Sequence, residues 1–289
     1  MDTRTIFTPA LVADLISKVG GKSSLAKLSM QQPIPFNGMK EMVFTMDSEI
    51  DVVAENGQKS HGGITVNPVT VVPIKFEYGA RVSDEFMNAT EEEGLQILQA
   101  FNDGFAKKVA RGLDIAALHG INPRTSTVST VIGANNFDTA VTQQVTYTAA
   151  TADENLEAAI DMIDDAFNSS GIAMSRIMRA DMAKIKANGV RQYPQFGFGA
   201  QEVDLMGTLV DVNSTVSVGT VKNRAYVGDF ENAFKWGIAK DIPLEVIPYG
   251  DPDNTGKDLK GHNQVYLRAE VYIGWGILVP EAFARVVEA

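Results

Sequence analysis

Residues 19–24, Val19-Gly20-Gly21-Lys22-Ser23-Ser24, end in the Gly-Lys-Ser of a phosphate-binding loop, whose backbone N–H groups and lysine would cradle an anion. The rest of that signature is missing, because its first glycine position holds Ile16 and a helical pattern precedes it where a strand is required. Gly57-Gln58-Lys59-Ser60 departs further, since Gln58 separates glycine from lysine. His61, His119 and His262 lie far apart in a chain without Cys, so no metal-ligand spacing forms. Asp84-Glu85 and Asp164-Asp165 have the chemistry of a general acid and base, but adjacent residues on a helix point in different directions and read as a solvated face. Gly197-Phe198-Gly199 is a glycine-aromatic loop of the kind that lines small-molecule sites. No catalytic, cofactor-binding or metal-binding residue is assigned, and the chain reads as a non-enzyme.

Composition narrows the class. The 289 residues are 45% hydrophobic and 21% charged, an ordinary globular balance with enough chain for a substantial core. The formal net charge is −11 and the acids are dispersed, which argues against a groove that grips nucleic acid through its phosphates. The longest apolar run, from Val271 to Pro280, is too short to span a bilayer and contains Gly274 and Gly276. The N-terminus has no export signal, and the absence of Cys agrees with a reducing compartment.

The elements follow from periodicity. Residues 8–19 predict a short helix with Pro9 in its first turn, and residues 20–38, rich in Ser, Gln and Pro, predict an arm. Met42, Phe44, Met46, Ile50, Val52 and Ala54 alternate with polar residues, as do Ile64, Val66, Val72, Ile74, Phe76 and Tyr78. That is a long hairpin of roughly 40 Å with one apolar face, which either the chain's own core or a neighbouring molecule must cover. Thr90 to Glu93 is a capping box opening a helix of about seven turns that ends near Gly120, with Gly104 and Gly112 marking close approach of another backbone. Strands and loops are expected over 124–150, and a helix capped by Thr151 and Glu154 ends at Ser169-Ser170-Gly171. A strand over 173–178, a helix from Ala180 to Asn188-Gly189, several short strands and a long strand from Gln264 to about Gly276 complete an α+β order.

Taken in order, the pieces resemble tailed-bacteriophage major capsid proteins of the Hong Kong 97-like fold. The matches are Ile34-Pro35-Phe36 entering the hairpin, residues 52–57, Arg81-Val82-Ser83-Asp84-Glu85 before the long helix, Asp114 and Gly120 near its end, Gly228-Asp229-Phe230, and residues 279–284. The resemblance implies an N-terminal arm (1–40), an extended loop (41–79), a peripheral domain with a spine helix (80–124 and 241–289) and an axial domain (125–240). It implies pentamers and hexamers closing into an icosahedral shell around double-stranded DNA. The extended loop would lie across a neighbour, with Val52, Glu55, Lys59, His61 and Ile64 as inter-subunit contacts. Some relatives form an isopeptide bond between a loop Lys and a peripheral Asn, assisted by a Glu; here the corresponding set would be Lys59, Asn263 and Glu270. An odd separation puts Asn263 and Glu270 on opposite strand faces, so joint action needs a bulge or two subunits.

The implied partners are further copies of the chain, a separate scaffolding protein, a portal, and DNA by weak non-specific contact, with no cofactor and no membrane. The implied place is the virion capsid, assembled in the bacterial cytoplasm. Two other readings stand beside this one: an encapsulin-type compartment shell, and a small-molecule enzyme or binding protein using the loop at Phe196 to Gly199.

Overall fold

A computed structural model describes residues 18–19, 22–46, 48–87, 91–163, 167–240 and 244–289. The helix expected over 8–19 and the acid pair Asp164-Asp165 fall outside that range, save Lys18 and Val19 at the helix's end. In chain order the principal elements are α1 (Ser24–Leu28), β1 (Met39–Met46), β2 (Ile64–Val71), β3 (Ile74–Ser83) and α2 (Glu91–His119). There follow α3 (Phe137–Ala140), β4 (Gln144–Thr146), α4 (Ala152–Asp161), β5 (Gly171–Met174), α5 (Arg176–Met182), β6 (Lys186–Ala187) and β7 (Val190–Arg191). The remainder comprises β8 (Glu202–Leu205), β9 (Thr208–Val212), β10 (Asn223–Gly228), β11 (Phe234–Lys240), β12 (Glu245–Ile247), β13 (Gln264–Ile277) and β14 (Phe283–Val287).

Two sheets organise these elements. A four-stranded sheet is built on β13, which pairs antiparallel with β3, β11 and β12. A mixed six-stranded sheet runs β4-β14-β10-β5-β9-β8, with β4–β14 and β5–β9 parallel. The 29-residue α2 matches the predicted long helix, and Leu98, Phe105, Val109, Leu113 and Ala116 are its buried stripe. Phe137 lies within 6 Å, ring centre to ring centre, of Tyr226, Phe230, Phe234 and Phe283, an aromatic knot drawing residues of both sheets together.

Several sequence expectations need correction. The hairpin's second strand is interrupted at Pro73: β2 pairs with β1, whereas β3 leaves the hairpin and pairs with β13 from Ile74 to Ser83. Only eight residues of each hairpin strand pair, about 26 Å: the ladder stops at Met46–Ile64 toward the tip, and at the root Pro73, which lacks an N–H, separates β2 from β3. β11 pairs with β13, and β14 pairs with β10, so strands from 125–240 and 241–289 meet in both sheets.

Within the segment read as an arm, Ser23 N-caps α1 and Leu25, Leu28 and Ile34 are buried. Gly112 does meet a close neighbour, the Phe76 ring, but Gly104 faces open space. Thr151 precedes α4 without a side-chain cap, and the strand expected over 173–178 stops at Met174, where Ser175 caps α5. A two-residue turn at Asn188-Gly189 then joins β6 to β7 where a helix was expected.

Candidate functional site

The hairpin is held at its root and bare along its length. Near the root, β13 alternates Ile273, Trp275 and Ile277 on one face with Gly274 and Gly276 on the other. A Cβ on Gly276 would come 2.8 Å from Val71, and one on Gly274 would come 3.2 Å from both Val71 and Ile34. The glycines therefore let β2 and the incoming chain lie directly on β13. Glu41 pairs with Lys235 of β11 at 3.1 Å beside the same root.

Beyond the root, the register sets Met42 opposite Pro68, Phe44 opposite Val66 and Met46 opposite Ile64. Directly opposed residues share a face, so these six apolar side chains form one surface. All six are exposed, Phe44 by 67% and Met46 by 75%. The other face carries Glu41, Val43, Thr45, Thr65, Asn67 and Val69. The alternation read in the sequence is present, and its apolar side faces solvent in the single subunit.

At the tip, residues 49–54 form no strand, and Asn56, with φ 60°, turns the chain while the Gly57 N–H donates to the Ala54 carbonyl. The proposed contact residues Val52, Glu55, Lys59, His61 and Ile64 are all solvent-exposed. Asn263 caps the turn before β13 in a left-handed conformation, and its carbonyl accepts from the Asp84 N–H. Glu270 lies further along β13, roughly 20 Å away at strand rise, where Lys75 (3.3 Å) and Arg268 (3.7 Å) flank its carboxylate. A single subunit thus keeps Asn263 and Glu270 apart, and Lys59 lacks the desolvated pocket that amide formation needs.

The phosphate-loop echo does bind an anion, and that anion is the chain's own. The Asp114 carboxylate, fully buried on α2, accepts from the Ser24 N–H (3.0 Å), the Leu25 N–H (3.2 Å), Thr215 Oγ1 (2.7 Å) and Ser23 Oγ. The N-terminus of α1 is filled internally, as an exposed helix start would be filled by phosphate. Burial pushes the Asp114 carboxyl above its ordinary range, against the pull of these four donors. Ser24 Oγ also donates to Asp211 of β9, which pairs with Lys27 at 2.8 Å. The early chain is thereby tied to α2 and the six-stranded sheet at once.

Two more charged clusters hold the body. His119, at the end of α2, sets Nδ1 2.9 Å from Asp138 and Nε2 2.8 Å from the Thr215 carbonyl. Tyr226, Asn223 and Arg285 also donate to Asp138, at 2.7, 2.7 and 3.0 Å. Burial opposes the charge on Asp138, yet His119, Tyr226 and Arg285 hold its carboxyl below the ordinary range. On the far side, the Arg81 guanidinium donates to Asp251 (2.6 Å), to Asp253 (2.9 and 3.1 Å from Nε), to Thr255 (2.6 Å) and to Gln264 (3.2 Å). His262 Nδ1 lies 2.8 Å from the Asp258 carbonyl, and among the described residues no three acidic or imidazole groups gather as a metal site. Sequence reading singled out Arg81 and Asp114 by resemblance alone; Asp211, Thr215 and Asp138 carried no signal, because their partners are remote in the chain.

The fold that carries this hairpin is shared with known proteins. The profile described as the Phage capsid family matches residues 6–287. This chain belongs to the phage capsid family. The same fold appears in a solved chain of Mycobacterium phage Ogopogo, 32% identical, covering 93% of this chain and 92% of that one at TM-score 0.78. A chain of Gordonia phage Cozz is 24% identical, with coverage of 93% and 87% and TM-score 0.77. The capsid of an empty GTA particle, computed with C5 symmetry, is 16% identical, with coverage of 93% and 90% and TM-score 0.68. No curated protein matches. In this chain the hairpin face sets six exposed apolar side chains side by side.

Proposed function

We propose that this chain is the major capsid protein of a tailed phage, assembling through pentamers and hexamers into an icosahedral shell around double-stranded DNA. One observation carries the reading: a capsid-family chain extends a hairpin whose six-residue apolar face is solvent-exposed, with no cover among the described residues. Laid across an adjacent copy, that face would leave water and supply the hydrophobic drive for association. The fivefold symmetry of the similar GTA capsid supports the pentameric part. Val52, Glu55, Lys59, His61 and Ile64 would then meet the neighbour at the tip. The chain's place is the virion capsid, built in the host cytoplasm with a scaffolding protein and a portal. Its net charge of −11 leaves DNA only weak, non-specific contact with the wall. An encapsulin-type shell has no observation in its favour over this one, and particle contents, genome or cargo enzyme, discriminate the two.

The test is electron microscopy of the purified chain beside a variant lacking Glu55 to Gly63. Closed particles from the parent, with a variant that folds and melts like the parent subunit but forms no particles, are expected. A deletion that abolishes soluble, cooperative folding would show the loop to be part of the subunit's own core and refute the reading.

A further inference from the structure

Left-handed backbone is rare for residues with a bulky Cβ, which crowds the following carbonyl; Asn and Gly tolerate it best. Among the described non-glycine residues with positive φ, all but two are Asn or Ser. The two are Phe198 and Met206, each at φ 52°. Both are also bare: Phe198 is fully exposed and Met206 is 98% exposed. Each position therefore combines an unfavourable backbone state with unburied apolar surface.

The same chain shows the relaxed alternative. Its β6–β7 hairpin turns through Asn188-Gly189, at φ 51° and 82°, the residue pair such two-residue turns prefer. The β8–β9 hairpin turns through Met206-Gly207, at φ 52° and 96°. Phe198 and Met206 flank β8, which is the outermost strand of the six-stranded sheet and pairs only with β9. Among the described residues this sheet edge has no further strand beside it, and it carries an apolar projection at each end.

We infer that this edge, anchored by Phe198 and Met206, is a second contact surface, separate from the hairpin face, and that its occupant is another copy of this chain. Side chains so fully exposed project outward, so the partner must supply the pockets, which a small molecule cannot. The inference rests on the shell reading, in which every neighbour in the wall is a copy. In a closed ring such a contact is heterologous, a projecting edge on one copy meeting a different surface on the next. The glycine-aromatic loop that reads in sequence as a ligand site becomes, on this account, a plug for a neighbour.

The test is the double variant Phe198→Asn/Met206→Asn, in which the favoured left-handed residue replaces both anchors. The free subunit should melt at or above the parental temperature, while the critical concentration for particle formation rises about tenfold or more. Independently, Phe198→Trp provides a reporter, because Trp236 and Trp275 are both buried. Its emission should shift to the blue when particles form. Assembly of the double variant at the parental concentration, a clear fall in its subunit melting temperature, or solvent-like emission of the reporter in particles would each overturn the inference. A parent chain that forms no particles would remove the shell reading and this inference with it, and that result is distinct from a variant that assembles normally.

Discussion

Replacing Phe44 with Thr tests the hairpin face most directly, because Thr keeps strand propensity while removing the largest apolar side chain on that surface. Phe44 is 67% exposed in the subunit, and full burial of such a side chain is worth about 1.5–3 kcal/mol. Covering the exposed two thirds against a neighbour contributes about 1–2 kcal/mol per hairpin, so its loss raises the critical concentration about 5- to 30-fold. Met42, Phe44, Met46, Ile64 and Val66 together expose the equivalent of about three side chains, on the order of 5–9 kcal/mol. One substitution should therefore weaken assembly, and the combined change of Phe44, Met46 and Ile64 to Thr should abolish it. The assay is light scattering over a dilution series of subunits released from purified particles, with the melting temperature of free subunits as control. An unchanged critical concentration would show that no neighbour covers this face. A melting temperature lowered by several degrees would show that Phe44 packs within its own subunit.

Asp114→Ala leaves the buried Ser24 and Leu25 N–H groups without an acceptor at about 1–3 kcal/mol each, partly offset by removing a buried charge. A net loss of about 3 kcal/mol by denaturant titration is expected, with earlier proteolysis near Lys22, and an undiminished stability would show that the caging of α1 is dispensable. Arg81 holds the Asp253 carboxyl down at about 2, below its ordinary 3.8, so the clamp's contribution is complete above 3.8 and is lost as pH falls through 2. Pepsin cleavage at Tyr249 and Leu259, which flank this loop, should accordingly rise as pH falls between those values in the parent and be high throughout in Arg81→Gln; equal resistance of the two would count against the clamp. Because Lys75 and Arg268 hold the Glu270 carboxylate roughly 20 Å along β13 from Asn263, particles boiled in denaturant should run as monomers, and a ladder of multimers would point to the Lys59–Asn263 bond.

What the sequence determined by itself is the set of elements whose signal is local. A period of two over residues 42–54 and a period of 3.6 over 95–116 each record which side of an element is apolar; the hairpin face follows over 42–46, where the strand forms, and the buried stripe of α2 follows too. The same pattern cannot say what lies against that side. β3 continues the alternation of β2 across Pro73, yet it belongs to β13, almost two hundred residues later, because ten residue pairs of register with that strand decide its place. Lys22-Ser23-Ser24 could be read as a place for an anion, but only the fold brings Asp114 from ninety residues away to fill it. Phe198 and Met206 look unremarkable in one dimension; their left-handed backbone and full exposure exist only once the edge strand between them is placed. Local periodicity fixes the apolar side of each element, whereas register, burial and long-range charge pairing decide whether that side is closed within the subunit or left open for the next.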